Sequence, residues 1–360
     1  MKLSGNTVDE MTEETMNICI LSSDAFVSHA AALIASVMEN NDASDNIVFH
    51  YFCENVSDKS KTALLSMQQK WVFGLSFYNL TVDFFDGYPQ YTNTKGTYMG
   101  YYKIVIPRLL PQEVDKILFL DADMIVQTSL APLYETGIEG KYAAVVAERK
   151  SRSVVSHDKP YFNAGMILMN VKKYREDHVE EQIKELAQER IKDFPYLEQD
   201  LFNEIFQGNV VYVHPIWNGF LWKGDVKNYN FHVVEKQLSL CYPIEWIEQS
   251  AANPNIVHYV NHIKPWHCEC NHVHKHIYWK YAKLTPFYNL VKRDVEIQLQ
   301  QSEIERSHDN LALLQQKRSI YWHYYRCKVL AKITFGITRK HYKEKRNILH
   351  EKVRRIRNLR

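Results

Sequence analysis

A transmembrane-length apolar run is absent from this 360-residue sequence: no stretch of about 18 consecutive apolar residues exists, so no membrane-spanning helix is readable. Cysteine is sparse, and the six present are not arranged as a disulfide framework, which fits a reducing compartment. The stretch 1–16 carries Asp9, Glu10, Glu13 and Glu14 and has no apolar core of the secretory-signal kind. It reads as an N-terminal extension, and the expected location is cytoplasmic. Internal repeats and low-complexity segments are also missing. Hydrophobic residues make up 46% and charged residues 24%, which excludes wholesale disorder, a collagen-like chain and a multi-span membrane protein. At roughly 150 residues per domain, the length allows one large domain or two modest ones.

What is present is unevenly charged. The net +2 conceals a segment, 317–360, with 15 Lys and Arg against Glu344 and Glu351, a balance of +13; the remainder carries −11. Within that segment Trp322, Tyr325, Val329, Ile333 and Ile337 recur at three- or four-residue spacing beside Arg326, Lys328, Lys332, Arg339 and Lys340. A basic amphipathic helix with aromatic residues points to an anionic membrane surface, where each basic side chain contributes about 1 kcal/mol. Packing of the stripe on the body and nucleic-acid binding are the alternatives. The acidic body offers no basic groove, so no nucleic-acid partner is expected. The polar, helix-compatible stretch 291–316 reads as a spacer between body and tail.

In the body, 17–21, 47–53, 80–85 and 116–120 are strand-like, and 30–38, 57–71 and 98–106 helix-like, the second capped by Ser57. Further on, 142–147, 164–171, 210–214 and 256–259 read as strands, and 176–191, 198–206 and 277–284 as helices. The alternation predicts an α/β domain with a largely parallel sheet over 17–290.

Four segments carry chemistry. Ile117-Leu118-Phe119-Leu120-Asp121-Ala122-Asp123 delivers two carboxylates to the end of an apolar strand, where ligands bind in open α/β sheets. The pair repels itself unless a cation sits between, and oxygen ligands suit Mg²⁺ or Mn²⁺; taken alone, the pattern also describes a solvated loop. His258-Tyr259-Val260-Asn261-His262-Ile263-Lys264-Pro265-Trp266 follows another predicted strand. An imidazole joining two carboxylates favours Mn²⁺ over Mg²⁺, and Lys264 is suited to meet a phosphate as a point charge. In Tyr161-Phe162-Asn163-Ala164-Gly165-Met166, Asn163 and Gly165 open a buried strand, where a small residue lets a ligand approach the backbone. In Glu198-Gln199-Asp200, three polar residues open an otherwise apolar helix, a place the helix dipole favours for carboxylates.

Together and in this order, these segments resemble glycosyltransferase family 8, the retaining nucleotide-sugar transferases that include glycogenin and bacterial lipopolysaccharide glucosyl- and galactosyltransferases. The resemblance spans about 17–286. Trp266-His267-Cys268 and the run from Tyr278-Trp279-Lys280-Tyr281 to Thr285-Pro286 are similar to the bacterial lipopolysaccharide branch. The resemblance implies a GT-A type, Rossmann-like fold and a Mn²⁺ cofactor held by Asp121, Asp123 and His258. It implies that Lys264 and Lys103 lie on the donor diphosphate, Ala122 in the same turn, and Leu21, Ser22, Ser23, Asp24 and Phe26 around uridine. Gln199 then faces the anomeric carbon, with Asn163 and Glu198 near the sugar; Glu198 stands where the family usually has Asp. Glu148 is a looser match to an acid near the sugar. Three departures stand out. Asn261 replaces a glycine, Ala25 and Phe26 replace polar and tyrosine residues, and Ser23 stands where an acid often contacts the base.

The expected activity is transfer of galactose or glucose from a UDP-sugar, with retention, to a lipid-linked core oligosaccharide at the inner face of the cytoplasmic membrane. Transfer to a protein or another surface glycan is the rival within enzymes, and a non-catalytic nucleotide-sugar-binding scaffold the rival outside them. The crowding of His258, His262, His267, Cys268, Cys270, His272, His274 and His276 admits either structural zinc or a packed loop.

Overall fold

The computed structural model describes residues 15–90, 98–149, 159–221, 235–236, 238–260, 262–333 and 336–357; most of the N-terminal extension, and Asn261, lie outside them. In chain order the elements are β1 (Met16–Ser23), α1 (Val27–Asn40), β2 (Ile47–Glu54), α2 (Asp58–Ser66), β3 (Gly74–Asn79), α3 (Tyr102–Leu109), β4 (Lys116–Asp121) and β5 (Met124–Val126). There follow α4 (Ala131–Tyr134), β6 (Ala143–Arg149), β7 (Tyr161–Asn170), α5 (Val171–Glu176), α6 (Val179–Arg190), α7 (Glu198–Phe206) and β8 (Val211–Tyr212). The last are α8 (Ile244–Ala252), β9 (Ile256–His258), α9 (Lys275–Ala282), α10 (Tyr288–Ile333) and α11 (Gly336–Arg357).

The main sheet has seven strands in the order β3-β2-β1-β4-β7-β6-β8. Pairings β1–β2, β2–β3, β1–β4 and β6–β8 are parallel, and β7 runs against both β4 and β6, so one strand is reversed in an otherwise parallel sheet. Both faces are covered, which explains the continuous apolar runs. Alternate residues enter opposite layers: Ile18, Ile20, Leu118 and Leu120 join one core with α1, α8 and α9, while Cys19, Ile117 and Phe119 join the other with α3, α5, α6 and α7. α1 is buried from Val27 through Val37, an apolar helix with no solvent face over that length. β5 and β9 form a separate antiparallel pair, with Met124 opposite His258.

Several elements differ from expectation. The strand expected at 80–85 lies earlier, as β3. That edge strand is only half-buried, whereas Leu80 and Phe85 reach the core from a 3-10 turn and its approach. α3 continues past Pro107 to Leu109 because Leu110 N–H still reaches the Ile106 carbonyl, while Arg175 donates to the carbonyls of Pro107, Leu110 and Pro111. The helix expected at 176–191 begins after His178, whose φ of +52° separates α5 from α6.

By its internal contacts the chain divides into Met1–Lys292 and Arg293–Arg360. In the second unit α10 and α11 meet where the Tyr324 ring lies 5.8 Å from that of His350. Trp322, Tyr325, Val329 and Ile348 are exposed, and Arg326 lies 5.3 Å over the Trp322 ring. No helix among the described residues is long and apolar enough to cross a membrane.

Candidate active site

The carboxyl ends of β1, β2 and β4 open on a cavity of about 250 Å³ lined by Leu21, Ser22, Ser23, Phe26, Glu54, Tyr102, Asp121, Ala122 and Asp123. Sequence reasoning named all of these except Glu54 and Tyr102. Asp24 is not on that wall. Its carboxylate accepts from the backbone N–H and hydroxyl of Ser57, at 3.1 and 3.2 Å, and so ties the β1 turn to the start of α2. Phe26 packs edge-on against His29 and Trp266, and Trp266 stacks on His29 at 3.5 Å. The turn after β1 and the segment after β9 are thereby joined.

At one end of the cavity two lysines divide the carboxylates' oxygens. Lys103, buried on α3, lies 2.6 Å from Asp121 Oδ1 and donates to the Ala164 carbonyl at 2.8 Å. Lys264 lies 2.7 Å from Asp123 Oδ2 and donates also to the Tyr259 carbonyl. The remaining oxygens face His258 Nε2, Asp121 Oδ2 at 3.8 Å and Asp123 Oδ1 at 3.4 Å. These three groups offer ligand atoms within 4.8 Å of one another, the one such cluster among the described residues. Burial pushes the Asp123 carboxyl up, but His258 and Lys264 outweigh it and hold the group well below the usual carboxylate range. Burial lowers the Lys103 ammonium, and Asp121 and Glu198 more than restore it.

β7 and α7 meet the carboxylate pair through Lys103, which joins Asp121 to the Ala164 carbonyl, and through Gly165. Between Asn163, which pairs with Val146, and Ile167, which pairs with Val145, β7 bulges away from β6 over 164–166. The bulge frees backbone groups that side chains then satisfy, as buried polar groups require. Ala164 N–H donates to Gln199 Oε1 at 2.9 Å, the Ala164 carbonyl accepts from Lys103, and Gly165 N–H donates to Asn163 Oδ1 at 2.9 Å. One turn further along α7, Asn203 bonds both the N–H and the carbonyl of Phe162, at 2.8 and 2.9 Å. Gln199 Nε2 donates to Glu148 at 3.0 Å and to the Tyr161 hydroxyl at 3.1 Å, and Tyr161 donates to Asp200 at 2.6 Å. The amide is thus locked in one orientation. Leu197, just before α7, has a φ of +40°, a strained value for a branched side chain that costs about 1–3 kcal/mol and sets the entry of Glu198 and Gln199. Burial pushes the Glu198 carboxyl up to about 7, against the lowering effect of Lys103.

Two features around the cluster fit a cation among Asp121, Asp123 and His258. A Cβ on Gly165 would lie 2.3 Å from His258 Cε1 and 3.0 Å from Asp121 Oδ2, so only glycine leaves the cluster room. Asn218, which no sequence signal singled out, accepts from His258 Nδ1 at 2.8 Å and leaves Nε2 directed at the carboxylates. The histidines and cysteines after His258 do not form a second cluster among the described residues. His267 Nδ1 accepts from Lys264 N–H, His272 Nδ1 from His274 N–H, and the His274 carbonyl from Tyr259, so they serve a packed loop.

A largely parallel sheet with a carboxylate pair beyond its strand ends is the GT-A type architecture of the glycosyltransferases. It is shared with the galactosyltransferase LgtC, solved with donor and acceptor sugar analogs, at TM-score 0.62 and 20% identity over 75% of this chain and 96% of that one. The bifunctional glycosyltransferase WbbM matches at TM-score 0.66 and 18% identity over 79% of this chain and 52% of that one. The model of glycosyl transferase family 8 matches residues 17–270, and the chain belongs to that family. It is therefore a glycosyltransferase. Among curated relatives, general stress protein A of Bacillus subtilis is 22% identical over 76% of this chain and 95% of its own. The lipopolysaccharide glucosyltransferase WaaO of Escherichia coli is 25% identical over 71% and 74%. The lipopolysaccharide 1,3-galactosyltransferase of Salmonella typhimurium is 24% identical over 74% and 77%.

Proposed function

We propose that the chain is a retaining, Mn²⁺-dependent hexosyltransferase that moves galactose or glucose from a UDP-sugar to a lipopolysaccharide core acceptor in α linkage. The observation that carries the reading is the convergence of Asp121, Asp123 and His258, whose ligand atoms lie within 4.8 Å of one another beside the cavity that both carboxylates line. A donor set of two carboxylates and an imidazole favours Mn²⁺ over Mg²⁺. When bound, the cation supplies Lewis-acid stabilisation of the departing diphosphate, which lessens the need for a general acid. Lys264 and Lys103 add positive charge beside the same phosphates. Gln199 is a poor nucleophile, and its amide is already bonded to Ala164, Glu148 and Tyr161. It acts as a fixed dipole that stabilises an oxocarbenium-like state during same-face attack. Glu198 and Asn163 hold sugar hydroxyls. The names of the Escherichia coli and Salmonella relatives support the acceptor class.

The exposed Trp322, Tyr325 and Val329, with Lys328 and Arg326 beside them, support docking of the second unit on the anionic inner face of the cytoplasmic membrane, where a lipid-linked acceptor is found. The donor is tested by UDP release from UDP-glucose, UDP-galactose and UDP-N-acetylglucosamine without acceptor. Release from UDP-glucose or UDP-galactose alone is expected. Release from UDP-N-acetylglucosamine alone contradicts the hexose assignment.

A further inference from the structure

The cavity beneath the β1 turn holds a carboxylate that belongs to neither the cation cluster nor the sugar wall. Glu54 ends β2, in register with Ser23 at the end of β1. Tyr102, at the start of α3, donates its hydroxyl proton to Glu54 Oε2 at 2.6 Å. Burial and that carboxylate keep the hydroxyl protonated above the ordinary tyrosine range, so it remains a donor at neutral pH. One carboxylate oxygen is thereby held, and Oε1 is left as an acceptor on the cavity wall.

Of the three carboxylates on that wall, Asp121 and Asp123 turn toward His258. Glu54 stands apart from them. β2 and β4 flank β1, so two strand spacings, about 10 Å, separate the end of β2 from the end of β4. That is the reach from a diphosphate, held at the cation cluster, to the base of the same nucleotide. A carboxylate facing a doubly charged diphosphate ligand is repulsive unless it meets a donor; past the phosphates the donors are the ribose hydroxyls and the base, and only the base donor differs from one nucleotide to another. Uracil offers N3–H between two carbonyl oxygens, whereas cytosine offers a bare acceptor at N3. Ser23, beside Glu54, contributes only a hydroxyl.

We infer that Glu54 is a specificity-determining residue that accepts N3–H of uracil and rejects cytosine by acceptor–acceptor repulsion, with Tyr102 as its positioning residue. The inference rests on the UDP-sugar reading above and assigns the residue that reads the base.

The test is calorimetric titration of the full-length protein, with Mn²⁺ present, by UDP and by CDP. Wild type is expected to bind UDP at least ~10-fold more tightly than CDP, the discrimination typical of one buried polar contact. Glu54→Gln, whose amide rotates to donate to cytosine, is expected to shrink that ratio ~10-fold. Tyr102→Phe is expected to shrink it in the same sense by a smaller factor, and equal melting temperatures for the three proteins tie the change to the site. An unchanged ratio in Glu54→Gln, or equal affinities in wild type, overturns the role of Glu54 while UDP binding leaves the UDP-sugar reading standing. Wild type that binds neither nucleotide overturns both.

Discussion

Asn218 Oδ1 lies 2.8 Å from His258 Nδ1, and this contact decides which ring nitrogen faces Asp121 and Asp123. The orientation of the amide follows from its other end. Gly165 N–H fixes Asn163 Oδ1 as an acceptor, Asn218 Nδ2 donates to it at 3.0 Å, and Asn218 Oδ1 is left for the imidazole. Loss of such a partner to a metal-ligating histidine typically costs about 10–100-fold in metal affinity. Asn218→Ala is expected to weaken Mn²⁺ binding by that factor, measured by titration with the metal alone. Asn218→Asp still accepts from Nδ1 but turns its second oxygen on Asn163 Oδ1, and is expected to lose less than Asn218→Ala.

Gly165 gives a second handle on the same cluster. A methyl group there meets His258 and Asp121 together, so at least one of the two must move. Displacements of about 1 Å cost on the order of 100-fold in rate, and overpacking costs about 1–3 kcal/mol in stability. Gly165→Ala is expected to fold, to melt a few degrees lower, and to release UDP from the donor about 100-fold more slowly. Activity within twofold of wild type would show that nothing depends on that space.

Glu198 predicts a pH dependence of stability. Its folded pKa, about 7, lies above its ordinary value of 4.5. Between those two values the folded state binds more protons than the unfolded one, so this group's contribution falls as pH rises from about 4.5 to about 7. Glu198→Gln removes that loss. In chelator, its melting temperature is expected to gain on that of wild type from pH 4.5 to pH 7 and to hold the difference above. A difference that does not change with pH would contradict the raised value.

The second unit predicts a lipid dependence. Full-length protein is expected to float with anionic vesicles, to float less as salt rises, and not to float with neutral vesicles. Joint replacement of the exposed Trp322 and Val329 by Ala is expected to cut recovery several-fold. Equal recovery on neutral and anionic lipid, or none on either, would remove the docking role.

Much of the sheet, and the candidates Asp121, Asp123 and His258, were legible in the sequence because they rest on local pattern. β1, β2, β4 and β7 are buried on both faces and therefore read as apolar runs, and Asp121, Asp123 and His258 sit at their ends or at the end of β9. β3 was misplaced because an edge strand shows a weaker pattern than the apolar turn that follows it. β5 spans only Met124–Val126, too short for a period to register. Asn218, Glu54 and the Tyr161–Asp200 pair escaped notice for another reason: each acts through a partner 39 or more residues away, on another element. The bulge of β7 could not be read at all, since it exists only where β6 stops pairing and α7 supplies the missing partners.

The most direct measurement is UDP release from the preferred donor by wild type and by Asp123→Ala, each with Mn²⁺ and with chelator. Wild-type release that requires Mn²⁺ and is lost in Asp123→Ala is the predicted result. Release that persists in chelator, or that Asp123→Ala sustains near the wild-type rate, would contradict a catalytic cation held by Asp121, Asp123 and His258.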